Sequence, residues 1–84
     1  MHYVYVLKSI KDKQSYVGYT KNLKFRFEQH QNGLVSSTKE RRPLKLIYYE
    51  ACINQKDATD RERYLKTIYG KRFIKSRLKS YLIG

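Results

Sequence analysis

Three ionisable side chains fall where packing asks for apolar ones. On a 100° helical wheel, Leu23, Phe27, His30 and Leu34 share one stripe, with Arg26 at its edge and Phe25 facing away. Further on, Ala58, Leu65 and Tyr69 make an inward stripe with Glu62 at its centre, four residues after Ala58 and three before Leu65. A carboxylate on an apolar stripe costs several kcal/mol unless an opposite charge, a metal ion or hydrogen bonds compensate it. For Glu62 the plain compensation is an ion pair with Arg61 or Lys66, and the chemical one is a bound cation. His30 has two readings as well, because an imidazole with an ordinary pKa near 6.5 either stays neutral in a core or moves protons in a site. Arg26, one turn earlier, has solvation as its ordinary fate.

Charge gives a second signal. Nineteen Lys+Arg against seven Asp+Glu leave a formal +12. After Glu62 no acidic residue follows, while Arg63, Lys66, Lys71, Arg72, Lys75, Arg77 and Lys79 do, and the stretch before the third strand adds Lys39, Arg41 and Arg42. Solvated faces usually mix signs, so a one-sign run points to a polyanion, with nucleic acid first. Most of the nine tyrosines fit strand packing, and some could stack on bases.

These groups need elements to hold them. Tyr3-Val4-Tyr5-Val6-Leu7 and Ser15-Tyr16-Val17-Gly18-Tyr19, β-branched and aromatic on either side of the polar stretch 10–14, predict a hairpin. Thr20 as N-cap and Asn32-Gly33 as stop predict a helix of about three turns. A Ser/Thr and basic loop runs from Gly33 to Pro43, and Leu44 to Glu50 is the third strand. Asn54 with Asp57 starts a second helix that Gly70 ends, and Phe73, Ile74, Leu78, Tyr81 and Leu82 mark a terminal amphipathic helix. The fold class is α+β: a small three-stranded antiparallel sheet flanked by helices in the order β-β-α-β-α-α.

With 84 residues, the sequence suits one domain of modest stability over 1–84. The longest apolar run, Tyr3 to Leu7, falls far short of the roughly 20 residues that span a bilayer, and no cationic segment feeds an apolar stretch at the start. We therefore expect a soluble, untargeted chain without a membrane partner. The single cysteine, Cys52, allows no internal disulfide or thiolate zinc site, and makes a reducing, cytoplasmic home the default.

Tyr3-Val4-Tyr5, then Tyr16-Val17-Gly18 starting eleven residues after Tyr5, then Arg26, His30 and Glu62, resemble the GIY-YIG endonuclease superfamily over nearly the whole chain. The likeness is greatest to small stand-alone bacterial proteins similar to the GIY-YIG nuclease domain of excinuclease ABC, and includes the stretch Arg41 to Glu50. Tyr3 stands where the family name has glycine, and Tyr19 where some members have lysine.

The resemblance implies a one-metal phosphodiester hydrolase whose two motif tyrosines lie on adjacent strands. Arg26, His30 and Glu62 match the family's arginine, its histidine or tyrosine, and its metal-binding glutamate. On that footing Glu62 holds one Mg²⁺ or Mn²⁺, and Arg26 clamps the phosphate. Tyr5 or Tyr16 takes the proton of the attacking water, directly or with His30. The expected partner is DNA, with RNA as an alternative, contacted by Lys39, Arg41, Arg42, Arg63, Lys66, Lys71, Arg72 and Lys75. Nicking of structured or damaged DNA in repair or recombination fits a chain with no separate reading head, and a protein partner would then supply specificity. The competing class is a non-catalytic nucleic-acid-binding module on the same fold; inward-facing Glu62, Arg26 and His30 argue against it. A third class is a small interaction protein whose charge keeps it soluble.

Overall fold

The computed structural model describes residues 1–83. Strands β1 (His2–Ser9) and β2 (Ser15–Thr20) form the expected hairpin, with Tyr5 opposite Gly18 and Leu7 opposite Tyr16. Strand β3 (Leu44–Cys52) pairs antiparallel with the other side of β1, giving the sheet order β2-β1-β3. A bulge between Val6 and Leu7 leaves Ile47 as an extra residue on β3, so that Tyr48 opposes Val6 and Leu46 opposes Leu7.

The central strand is buried on both faces. Val4 and Val6 pack with Ala58, Leu65 and Ile74 of helices α2 (Gln55–Leu65) and α3 (Ile68–Arg77). Tyr5 and Leu7 pack on the opposite face with Leu44 and with Leu23 and Phe27 of helix α1 (Leu23–Gln31). The strand's two-residue period thus sends alternate residues into two cores. That is why β1 is a continuous apolar and aromatic run instead of an alternating one.

Helix boundaries depart from the expected ones for local reasons. Thr20 still pairs with Tyr3 in the sheet, and the N-cap of α1 is Asn22, whose side-chain oxygen accepts from the Phe25 amide at 3.1 Å. The helix stops at Gln31 and Gly33 adopts a positive φ of 75°, so Leu34 leaves the predicted stripe and is 71% exposed. Helix α2 ends at Leu65, not at Gly70, and Tyr69 is exposed. Thr67 caps α3 by accepting from the Gly70 amide at 3.2 Å, which places Gly70 in the first turn of a new helix. A Cβ there would fall within the contact radius of the Leu65 backbone and the Tyr64 carbonyl. Glycine is present because two helices meet backbone to backbone, so the signal that reads as a stop marks a close crossing. The terminal helix is broken at Leu78, and a short α4 (Lys79–Ile83) follows.

One polar network staples the α2/α3 layer to the sheet edge. Arg61 donates through Nε and Nη2 to Glu50 of β3 at 2.9 Å each, and Tyr48 donates its hydroxyl to the same carboxylate at 2.8 Å. The guanidinium lies over Phe73 and Tyr64, at 4.6 and 5.0 Å from their ring centroids. Burial would push the Glu50 carboxyl up, but the bonds from Arg61 and Tyr48 outweigh it and hold it below its ordinary range.

Gly70→Ala should destabilise the fold by about 1–3 kcal/mol despite alanine's better helix propensity, because the collision outweighs the gain. Urea unfolding that left the variant as stable as the parent would refute the close-crossing account.

Candidate active site

Tyr5 sits on the central strand beneath α1, and its ring leans across β2 over Gly18. A Cβ on Gly18 would collide with the Tyr5 ring and hydroxyl, so the glycine is the clearance through which this side chain passes. The hydroxyl then meets His30, which α1 brings down onto the same face, and bonds to Nε2 at 2.8 Å. Tyr16, two residues before Gly18 and on the same face, completes the cluster. Its ring centroid lies 5.2 Å from that of His30 and 6.4 Å from that of Tyr5, while Tyr5 and His30 are 5.6 Å apart. Tyr5 and His30 are fully buried, and Tyr16 is half-buried at the rim.

The far side of the imidazole meets a residue that no spacing in the sequence singles out. Nδ1 of His30 bonds to Oγ1 of Thr38 at 2.7 Å, and Thr38 is buried without residual exposure. It is carried by a single 3₁₀ turn, Lys39–Arg41, which is pinned to the hairpin. The pins are Ser9 Oγ donating to the Arg41 carbonyl at 2.6 Å and the Arg41–Asp12 ion pair at 3.0 Å. A buried histidine has two nitrogens to satisfy. That need is the one sequence signal for a second partner, and it does not say which of the loop's hydroxyl residues will supply it.

Arg26 is half-buried on α1 one turn before His30, and its Nη1 donates to Gln29 at 3.1 Å. The expected exposure of Phe25 is also observed. Burial pushes the Tyr5 hydroxyl above the ordinary tyrosine range; the guanidinium of Arg26 beside it acts the other way, and the charges of Tyr16 and Glu62 add to the rise. Burial drives His30 down to about 4, with the positive charge of Arg26 as a second cause, so the imidazole is neutral at physiological pH. Glu62 keeps 24% of its side chain exposed, acts electrostatically on Tyr5, and pairs with Lys66 at 3.2 Å. Of the two neighbours expected to compensate it, Lys66 does so and Arg61 is committed to Glu50.

The predicted nucleic-acid residues divide into two groups. Arg41 is engaged with Asp12 and the Ser15 carbonyl, and Arg42 donates to the carbonyls of Lys39 and Gln31. Arg63 pairs with Asp60 and Lys66 with Glu62. Lys39, Lys71, Arg72 and Lys75 are exposed and make no ion pair among the described residues. Tyr19 faces the opposite core from Tyr5 and bonds to His2 Nδ1 at 2.7 Å.

Because the native state holds His30 neutral while the unfolded chain protonates it, stability should be fully present above pH 6.5 and fall as pH drops from 6.5 to about 4. The loss from this group should amount to about 3 kcal/mol. Chemical denaturation across that range checks the sign, and a flat profile would contradict the buried neutral imidazole.

Comparison with known proteins agrees with this geometry. The family model of the GIY-YIG catalytic domain matches residues 1–81. A Clostridium perfringens protein, UPF0213 protein CPE1444, is 44% identical over 69 residues, covering 81% of this chain and 73% of its own. UPF0213 protein SSP2268 of Staphylococcus saprophyticus is 37% identical over 75 residues, covering 88% of this chain and 90% of its own. No solved structure matches. The relatives' names state no activity. With a domain match over almost the full length and relatives of this identity and coverage, the chain belongs to the GIY-YIG family.

Proposed function

We propose that the protein is a one-metal DNA endonuclease that hydrolyses phosphodiesters at the cleft formed by Tyr5, Tyr16, Arg26, His30 and Glu62. The observation that carries this reading is the packing of two tyrosines and a neutral histidine against one another, with a guanidinium beside them and a carboxylate in electrostatic reach. A fold that needed only to bind would gain nothing from crowding these groups together.

The donor set fits a hydrated hard cation. No group of three His, Cys, Asp or Glu side chains converges as a metal cage among the described residues. A single carboxylate with waters and a substrate phosphate is a ligand set that Mg²⁺ or Mn²⁺ accepts. Glu62 already attracts a cation, the Lys66 ammonium, whose exposed and flexible stem can swing aside. When bound, the ion would supply charge neutralisation at the leaving oxygen.

The remaining work belongs to the chain. Arg26, a permanent planar fork of donors, clamps the phosphate and opposes the charge that builds on it. Tyr16, open to water at the rim, receives the proton of the attacking water at its oxygen. Tyr5, whose burial makes it hold its proton, serves as a hydrogen-bond donor. Of the two tyrosines between which sequence cannot choose, Tyr16 is therefore the base in this reading. The exposed Lys39, Lys71, Arg72 and Lys75 hold DNA through phosphates, with little sequence preference. The setting is the bacterial cytoplasm, on structured or damaged DNA in repair or recombination, with a protein partner directing specificity. A binding module without turnover is the alternative favoured by the Glu62–Lys66 pair, since that pair neutralises the carboxylate with no metal present.

Incubating purified protein with supercoiled plasmid and branched oligonucleotides, with Mg²⁺, Mn²⁺ or chelator, separates the two. Glu62→Ala and Arg26→Ala should each lower metal-dependent nicking by at least about 100-fold and leave low-salt DNA binding largely intact. Tyr16→Phe should abolish nicking. Full activity in both of the first two variants sinks the assignment, and Tyr16→Phe at parental rate sinks the choice of base. Lys66→Met should tighten Mn²⁺ binding by no more than about five-fold, the scale of an exposed ion pair, as titrated by electron paramagnetic resonance. Weaker binding would mean that Lys66 assists the ion instead of competing with it.

A further inference from the structure

The chain of hydrogen bonds through His30 contains one more hydrogen than it can use internally. Tyr5 brings one hydroxyl proton, the neutral imidazole one N–H, and Thr38 one hydroxyl proton, while only two bonds join the three groups. One terminal hydroxyl must direct its hydrogen elsewhere. If Nδ1–H donates to Thr38, the spare hydrogen is the one on Thr38. That group is fully buried, and His30 is its hydroxyl's only hydrogen-bond partner among the described residues. A buried donor without an acceptor is the costly outcome. If Thr38 donates to Nδ1, then Nε2–H donates to Tyr5, and the spare hydrogen lies on the Tyr5 hydroxyl. Arg26, Tyr16 and Glu62 act on that hydroxyl. There a phosphate oxygen can accept it.

The loop is built for the second arrangement. Thr38 stands at the N-cap position of the 3₁₀ turn, where a threonine oxygen would ordinarily accept from a local amide, yet it makes no capping bond. Its hydroxyl is spent on the imidazole. The turn is held by Ser9, Asp12 and the Lys39 amide bonded to the Val35 carbonyl at 2.9 Å, so Thr38 cannot drift from His30 without releasing those contacts.

We infer that Thr38 is a positioning residue: by donating to Nδ1 it holds His30 as the Nε2–H tautomer, so that His30 donates to Tyr5 and the Tyr5 proton is directed at the substrate phosphate. The part concerning the phosphate rests on the endonuclease reading above, whereas the tautomer does not. Donors aligned in series polarise one another, so the chain strengthens Tyr5 as a donor without any group changing its charge.

Long-range ¹H–¹⁵N correlation spectra of the ring nitrogens, recorded on the full chain with ¹⁵N-labelled histidine and no DNA, test the tautomer. His2 is assigned by a His2→Gln variant. Wild-type His30 should show a bare Nδ1 and a protonated Nε2; the reverse pattern overturns the inference. Thr38→Val should move both nitrogen signals towards the averaged values of mixed tautomers and lower metal-dependent nicking by roughly ten-fold, with Thr38→Ser restoring both. Parental spectra and nicking in Thr38→Val would overturn the inference as well. If Thr38→Val does not fold, the wild-type spectrum alone decides. If the wild-type protein nicks no DNA but its spectrum shows Nε2–H and shifts in Thr38→Val, the tautomer stands and the endonuclease reading falls.

Discussion

Burying a tyrosine on the central strand of a sheet imposes an obligation that the rest of this structure meets. Tyr5 lies between two layers with its hydroxyl out of reach of bulk water, so the oxygen needs a partner inside the protein. Gly18 gives the ring its passage, His30 supplies the partner, and Thr38 satisfies the histidine in turn. Each step creates the need for the next. The sequence from the hairpin to the 3₁₀ turn therefore behaves as one unit, although its members are separated by up to 33 positions, from Tyr5 to Thr38.

The sheet's two faces carry different duties. On one, Val4 and Val6 meet Ala58, Leu65 and Ile74 in a plain hydrophobic core, and the Glu50–Arg61–Tyr48 network fastens that layer to β3. On the other, aromatic and ionisable groups share the space beneath α1. Glu62 comes from the first layer and Arg26 from the second, so their meeting depends on how both layers sit against β1. Such a site is rigid because its members are parts of the core, and its burial drives His30 down and Tyr5 up.

The segment 33–43 shows how composition can mislead. Its cations read as a surface for nucleic acid, and Lys39 is free to act so. Arg41 and Arg42, however, reach inward to Asp12 and to backbone carbonyls, and with Ser9 they pin the turn that delivers Thr38. The two arginines hold the loop in place, a use of charge that depends on partners 29 residues or fewer away in sequence but adjacent in space.

Much of the fold was legible because its signals are local. Two aromatic, β-branched runs made the hairpin, the period of Leu23, Phe27 and His30 made α1, and the position of Glu62 between Ala58 and Leu65 marked an ionisable group near a core. The motif spacing pointed to the family, since it records how far the chain must travel between positions that meet. Other features depended on contacts between distant segments. Gly70 looks the same in sequence whether it ends a helix or lets two helices cross, and only the approach of α3 to the Leu65 backbone tells the two apart. Lys66 and Arg61 were equal candidates to neutralise Glu62 until β3 placed Glu50 beside Arg61. Thr38 is one of three consecutive hydroxyl residues, Ser36, Ser37 and Thr38, and local preference cannot choose among them. The sequence by itself determined which residue types were available and the periodicities that form the elements. The tertiary structure decided their partners, because hydrogen bonding and burial act through distances that the order of residues does not contain.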